Sequence, residues 1–552
     1  MACINPRHIP QSLLPQTTSL KKRTDAIGLL KAFSFVNEEG EACSLNIHRL
    51  VHLATRNWVR KNQLFSQQIL KTADRLREAF PDNDHTNREL WREHLPHVLS
   101  LTEEAEFQKE QEKYVDMVEN IGDCLLSDGR YKEAEDQFLK VLKIRKQVLG
   151  PEHPYTLFSM TQLASTYMNQ NRRKAEEVQV QATEMHKMVL GPEHPQTLIS
   201  MVYLVETYGG LGRWKEAEKL AMEVLNIQKR VLGPEHPNTL LSMAKLARAY
   251  WYLGQQKEAE ELQVQVTEMH KKVLGPEHRS TLRNMNRLAT TYRNQRRWKE
   301  AEELNVEVMR IQKQVLGPEH PDTLVTMADL ASTYESQRRW KEAEELNVEV
   351  TRIQKQVLGP EHPDTLATMS DLASIYRSQG QWKQAEELNV EVMRIQKQVL
   401  GPEHLYTLLS MAGLALTYWQ LGQEKEAEEL QVQVTEIHKK VLGPEHPHTL
   451  SHMYSLAFFW KLQGKIQAAL ALLEQCVALQ RKVLGPDHPA ILLSSRNLME
   501  WTKEDGRLLD DHLLRPDQAK SDHIPRGSKR LWRSLRQITK SRSNVWKGTK
   551  SE

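Results

Sequence analysis

The string Leu149-Gly150-Pro151-Glu152-His153-Pro154 returns at Leu190, Leu232, Leu274, Leu316, Leu358, Leu400, Leu442 and Leu484, with single-residue changes in three copies. The first interval is 41 residues and every later one is 42. A fixed period in this range marks a repeat array, in which one unit buries its apolar face only by stacking on the next. Such arrays bind along a surface and seldom hold an active-site pocket, so the period also directs the search for function.

Residues 321–357 show how one unit works. His320 is expected to cap a helix whose first position, Pro321, needs no N–H. Leu324, Met327, Leu330, Ala331 and Tyr334 fall on one face of a 3.6-residue period. Ser336-Gln337-Arg338-Arg339 interrupts that period, and other copies place glycine there, as at Gly212 and Gly254. A second helix is predicted from Trp340, Ala343, Leu346, Val350, Ile353 and Val357. Its other side carries Lys341, Glu345, Glu349 and Arg352, spaced for helical ion pairs. Gly359 should end it in a left-handed conformation. The one short interval arises at Asn171-Arg172-Arg173-Lys174-Ala175, where a local distortion is expected.

Leu-Ala-x-x-Tyr, a turn, then alanine and aliphatics resembles the tetratricopeptide repeat. The 42-residue unit, with Lys-Glu-Ala-Glu-Glu-Leu and the recurring string, is similar to the variant of kinesin light chains and of the C-terminal arrays of fungal and bacterial signalling ATPases. The resemblance covers 111–507. It implies an all-α, right-handed solenoid of nine helix pairs and a capping helix.

Residues 1–110 do not repeat. From Ala26 to Val59 the pattern reads helix, strand, a Glu38-Glu39-Gly40 turn, strand, helix, which suits a small winged-helix-like segment over 1–60. Ile9-Pro10-Gln11-Ser12-Leu13-Leu14, Leu30 to Val36 and Ile47 to Trp58 are similar to the end of an NB-ARC ATPase module. Residues 61–110 then resemble its helical linker. That order is similar to fungal NOD-like (STAND) receptors, and it implies a nucleotide-sensing role for the position of His48. The family's phosphate-cradling G-x-x-x-x-G-K-[ST] string is not present, since Gly464-Lys465 is followed by Ile466 inside a repeat. His48 is therefore read as a vestigial sensor position acting as a helix cap, and no cofactor is expected.

Other constellations read as structural. The string histidines recur once per repeat, too far apart to share one metal. His94-x-x-His97 has no third ligand nearby, so no metal is expected. Cys3, Cys43, Cys124 and Cys476 form no CxxC and read as reduced thiols. No catalytic dyad or triad is legible, which points away from an enzyme. A net charge of +3 argues against nucleic acid, and no apolar run is long enough to span a membrane. A cytoplasmic location is expected. The tail, 508–552, is read as basic and disordered, with Leu531, Trp532, Leu535 and Ile538 suggesting a membrane-surface helix as the lesser reading.

The candidate site is the concave face of the first helices. Positions one, four, eight, eleven and twelve after the leucine vary between copies. They place Arg283, Asn286, Arg293, Asn294, Glu335, Ser374 and Arg377 on a mostly basic floor. Leu241, Arg248, Trp251 and Tyr252 flank it on one side, and Leu409, Trp419, Tyr454 and Phe458 on the other. Arginines and aromatics are common interface anchors, so the expected partner is a protein or peptide, acidic or mixed. The reading is a non-enzymatic recognition scaffold, expected to serve as the recognition part of a NOD-like receptor. The alternatives are a kinesin-light-chain-like cargo adaptor and one part of an NTP-dependent STAND switch whose ATPase core lies elsewhere.

Overall fold

A computed structural model describes residues 3–14, 20–39, 44–170, 172–484 and 488–506. The basic tail and its suggested helix lie outside the described residues. Two compact units form, Met1–Tyr167 and Met168–Glu552.

In the first unit, α1 (Leu20–Ala32) leads into an antiparallel hairpin of β1 (Val36–Glu39) and β2 (Ser44–Ile47), then α2 (Arg49–Lys61). Val36 pairs with Ile47, and Ile9 bridges Leu45 on the other side of β2. Next come α3 (Phe65–Ala79), α4 (Arg88–Thr102) and α5 (Ala105–Lys109), which bury Ile69, Leu76, Trp91, Leu95 and Phe107. The repeats begin with α6 (Val115–Ser127) and α7 (Tyr131–Val148), followed by α8 (Pro154–Met168). The first helix pair thus belongs to the N-terminal compact unit.

The second unit continues with α9 (Arg172–Leu190), α10 (Pro195–Gly210), α11 (Trp214–Val231), α12 (Pro237–Tyr252) and α13 (Gln256–Val273). There follow α14 (Arg279–Asn294), α15 (Trp298–Val315), α16 (Pro321–Ser336), α17 (Trp340–Val357) and α18 (Pro363–Gln379). The last elements are α19 (Trp382–Val399), α20 (Leu405–Gln420), α21 (Glu424–Leu442), α22 (Pro447–Leu462), α23 (Ile466–Val483) and α24 (Pro489–Asp505). Within the second unit consecutive helices pair, and the even-numbered helices also touch one another, so they form one layer and the odd-numbered helices the other.

The recurring string acts as stop, turn and start. Glycines 191, 233, 275, 317, 359, 401 and 443 have φ from +88 to +94°. At Gly443 ψ is 163°, a conformation open almost only to glycine. The string histidine then caps the next helix through Nδ1, which accepts from the backbone N–H two residues on, at 3.0–3.2 Å throughout the second unit. A threonine two or three residues further in closes the turn, as where Thr323 Oγ1 donates to Gly317 O at 2.9 Å. The string glutamate pairs with the end of the following odd-numbered helix, as in Glu403–Lys440 at 2.7 Å. These pairs are exposed and contribute little individually.

Within a pair, Leu324, Met327, Val350 and Ile353 make a small buried cluster, and Leu282, Met285, Val308 and Ile311 repeat it. Ala331 and Ala343 are fully buried where the helices approach. Arg297 and Arg339 stack 4.1 Å over Tyr292 and Tyr334 and reach back to Glu260 and Glu302 of the preceding repeat. The short interval takes its missing residue from the end of α8, 15 residues long against 16 for α10 and α12. Arg172 then begins α9 at the place that Trp214, Trp298, Trp340 and Trp382 hold elsewhere.

Candidate functional site: the inner face of the coil

The two layers meet solvent differently. Along α17, Lys341, Glu342, Glu345, Val348 and Glu349 are exposed, whereas α16, α18 and α20 contain no exposed residue at all. Helices with half-buried but no exposed residues lie on the inner side of a curved array, so α16, α18 and α20 line its interior.

The second unit closes this interior by returning to itself. His446 Nε2 donates to the carbonyl of Gly210 at 3.2 Å, across 236 residues of sequence and thus between five and six repeats. Arg172 Nη1 donates to the same carbonyl. Lys215 Nζ donates to Lys482 O at 3.2 Å. A Cβ on Gly212 would overlap Pro447 Cδ and lie 3.1 Å from His446 Cδ2, and one on Gly254 would lie 3.1 Å from the Cα of His488. Met168, Gln170 and Arg172 face His404, Leu405 and Leu442 across a crevice. Each early turn therefore seats on the start of a helix one superhelical turn later.

A ring of five to six helices at about 9 Å spacing is roughly 50 Å around, so the helix axes lie about 8 Å from the centre. Subtracting a helix half-width of about 5 Å leaves a passage of only a few ångströms. An extended peptide with side chains needs about 10 Å.

The expected groove residues separate into three groups. Tyr454 and Phe458 are core: both are 1% exposed, Tyr454 OH accepts from Asn497 of the capping helix, and Phe458 packs on Trp501 at 6.1 Å. Their place on a groove flank is thus corrected, because α24 covers them. Arg293 and Glu335 are also buried. Arg293 donates to Asp329 O at 3.1 Å, and Glu335 accepts from Ser378 Oγ at 2.8 Å. Leu241, Arg248, Trp251, Tyr252, Arg283, Asn286, Ser374, Arg377, Leu409 and Trp419 are half-buried on the inner layer, and Asn294 is exposed at the end of α14. Trp419 leans on Phe459 at 5.0 Å, and Tyr252 stacks on Trp214 at 4.0 Å.

The floor carries acidic groups as well: Lys245, Arg248, Arg283, Arg287 and Arg293 lie on α12 and α14, while Asp329, Glu335 and Asp371 lie with Arg377 on α16 and α18. Asp329, Asp371, Lys245 and Arg287 stand five residues after the leucine, a position left out of the sequence pattern. Lys245 is buried and paired with Glu206. Burial works to raise the Glu206 carboxyl, but Lys245, Arg248 and Arg287 outweigh it and hold its pKa below the ordinary value. Burial lowers the Arg293 pKa against the pull of Asp329, Glu335 and Asp371. Arg248 lies 5.8 Å from the Trp214 ring. Its Nε, Nη2 of Arg293 and Oδ1 of Asn286 are buried with no hydrogen-bond partner among the described residues.

Outside the coil, His48 Nδ1 accepts from Leu50 N at 3.3 Å and caps α2. His94 and His97 are buried; His94 Nε2 lies 3.1 Å from Ser12 Oγ and His97 Nε2 donates to His8 O at 3.1 Å. Cys3, Cys124 and Cys476 are free and buried. Among the described residues no group of three or more His, Cys, Asp or Glu could hold a metal, and no helix is long and apolar enough to cross a membrane.

The sequence pattern described as tetratricopeptide repeat matches residues 114–188, 168–229, 198–272, 280–356, 337–398 and 364–440, and a second of the same description matches 449–490. A nucleotide-binding leucine-rich repeat (NLR)-like protein of Hyaloscypha variabilis is 40% identical over 164 residues, 29% of this chain. The chain spans only 16% of that relative's length. Among solved structures, the nearly identical TPR-like repeats of a Podosopora anserina protein described as kinesin light chain are 39% identical. They cover 37% of this chain and 97% of their own, with a TM-score of 0.33. A signal-transduction ATPase (STAND) protein with a tetratricopeptide repeat sensor, from Pyrococcus horikoshii, is 13% identical, covering 78% of this chain and 62% of its own, with a TM-score of 0.39.

Proposed function

The chain belongs to the tetratricopeptide repeat family, and from that premise we propose that its second unit recognises an extended protein segment on the inner face of its coil. The repeat array is a protein-interaction scaffold without an evident reaction site. The finer reading is a sensor module of an NLR-like or STAND-type receptor, supported by the likeness to the fungal relative. A cytoplasmic setting accompanies that reading.

The observation that carries it is unspent hydrogen-bonding capacity. Buried polar groups are nearly always satisfied, so four unpartnered atoms on neighbouring α12 and α14, those of Arg248, Arg293 and Asn286 and Oγ of Ser242, favour a guest that completes them. Two of the four are guanidinium nitrogens, which favours carboxylates in the guest. Trp251 and Tyr252 beside Arg248 supply apolar anchorage. A kinesin-light-chain-like adaptor is less favoured. The described helices before the repeats are 5–15 residues long, too short for a sustained heptad seam.

Selection from a random peptide display library on the purified chain tests this. Enriched peptides should carry clustered acidic residues and lose at least about tenfold in affinity on Arg248→Glu or Arg283→Glu, a loss of about 1.4 kcal/mol. Selection of basic or uncharged peptides, or equal affinity for both variants, would overturn the assignment.

A further inference from the structure

By that estimate the interior of the coil is a tight passage, about as wide as or narrower than an extended peptide. The contacts that enclose it are few and specific. They are His446 on Gly210, Arg172 on the same carbonyl, Pro447 on Gly212, His488 on Gly254, and Lys215 on Lys482. In later copies of the same turn, a Cβ on Gly380, Gly422 or Gly464 meets nothing within 4 Å. Among the described residues, the contacts that hold the coil to itself thus gather along one seam.

Two of the fastening residues are histidines already committed as helix caps. His446 Nδ1 accepts from His448 N at 3.1 Å, which leaves Nε2 to carry the proton it donates to Gly210 O. The capping bond needs the neutral ring, whereas the Nε2 donation does not. A second proton would take the place of the capping bond and put a charge beside Arg172. The groups beside this ring are Arg172 on α9, which shares the Gly210 carbonyl, His438 on α21 and His448 on α22, while the neighbouring Glu445 pairs with Lys482. The His446 and His448 rings lie 5.2 Å apart and those of His438 and His452 4.2 Å apart, so several rings compete against one added charge. His488 makes the equivalent cap with Ala490 N at 3.1 Å while its backbone seats on Gly254.

We propose that this seam is an acid-released clasp that governs access to the recognition face: shut, the coil hides its inner helices; released, it presents them. The proposal rests on the reading of the inner face as the binding surface. The burial of both rings agrees with it. His446 is held well below the ordinary imidazole range, by burial first and Arg172 next, and His488 is pushed down to about 4 by burial. Protonation is then unfavourable while the seam is shut and favourable once it opens, so acid drives opening.

Small-angle scattering on the full chain, with far-UV circular dichroism alongside, tests this. As pH falls from neutral through 6.5 toward about 4, the radius of gyration should rise while helicity holds. The His446→Asn, His488→Asn double variant keeps a helix cap and does not titrate, so its radius should be the same at every pH in that range. The Gly212→Ala, Gly254→Ala double variant should be expanded already at neutral pH. It should bind a display-selected peptide at least about tenfold more tightly, since a larger fraction is competent. A radius that stays flat with pH, expansion that accompanies loss of helix, or equal expansion of the asparagine variant would each overturn the clasp. If scattering behaves as stated and no variant binds a selected peptide, the clasp stands and the reading of the inner face falls.

Discussion

Gly212 and Gly422 occupy the same turn in different copies, and substituting each by alanine separates the energy of the seam from the energy of the backbone. Their φ values are +72 and +78°, so alanine pays a similar left-handed cost at both, about 1–2 kcal/mol. Only at Gly212 does the new Cβ run into Pro447, whereas at Gly422 it meets nothing within 4 Å. If the coil holds its shape, Gly212→Ala adds an overpacking term of about 1–3 kcal/mol. If the coil yields, the strain is relieved by loss of the seam and the radius of gyration rises. Urea unfolding followed by circular dichroism, with scattering on the same samples, reads both outcomes. Repeat arrays sum local terms, so the two variants are compared in one background. Equal unfolding midpoints together with equal radii would refute the seam.

Three further outcomes follow from particular residues. His320→Ala should cost about 1 kcal/mol in urea unfolding through the lost cap, and His320→Asn should restore most of it. The Asp123 carboxyl in the first unit is pushed up to about 7, by burial first and Glu119 second. An acid whose folded pKa is raised stabilises most at low pH and loses that contribution as pH rises from 3.8 through about 7, so Asp123→Asn should raise the thermal midpoint above neutrality by up to about 4 kcal/mol equivalent and leave it nearly unchanged in acid. Gly443→Ala forces a side chain into φ +91°, ψ 163° and should cost about 1–3 kcal/mol, seen as a lower unfolding midpoint.

What was legible in the sequence is what depends on neighbours a few residues away. The helix starts at Pro321 and Pro363, the capping histidines, the glycine stops and the Leu324–Met327–Val350–Ile353 cluster all follow from local period and turn chemistry. The self-contact of the coil does not, because it sums a small rotation per repeat over more than five repeats; Gly212 and Gly422 look alike in sequence and differ only in what arrives beside them. The inner charges are half visible. Arg283 and Arg377 stand out, but Asp329 and Asp371 sit five residues after the leucine, at a register position outside the variable set. Tyr454 and Phe458 looked like anchors because α24, with Trp501 and Asn497, was read as a cap without asking what it covers.

The most direct test of the account is the labelling rate of a Ser332→Cys variant, a half-buried inner-face position on α16, with a bulky maleimide. At neutral pH the account predicts slow labelling in the otherwise unaltered chain, faster labelling when Gly212→Ala and Gly254→Ala are added, and renewed protection by a selected acidic peptide. Rapid labelling in all backgrounds, unaffected by peptide, would contradict both the closed interior and its use for recognition.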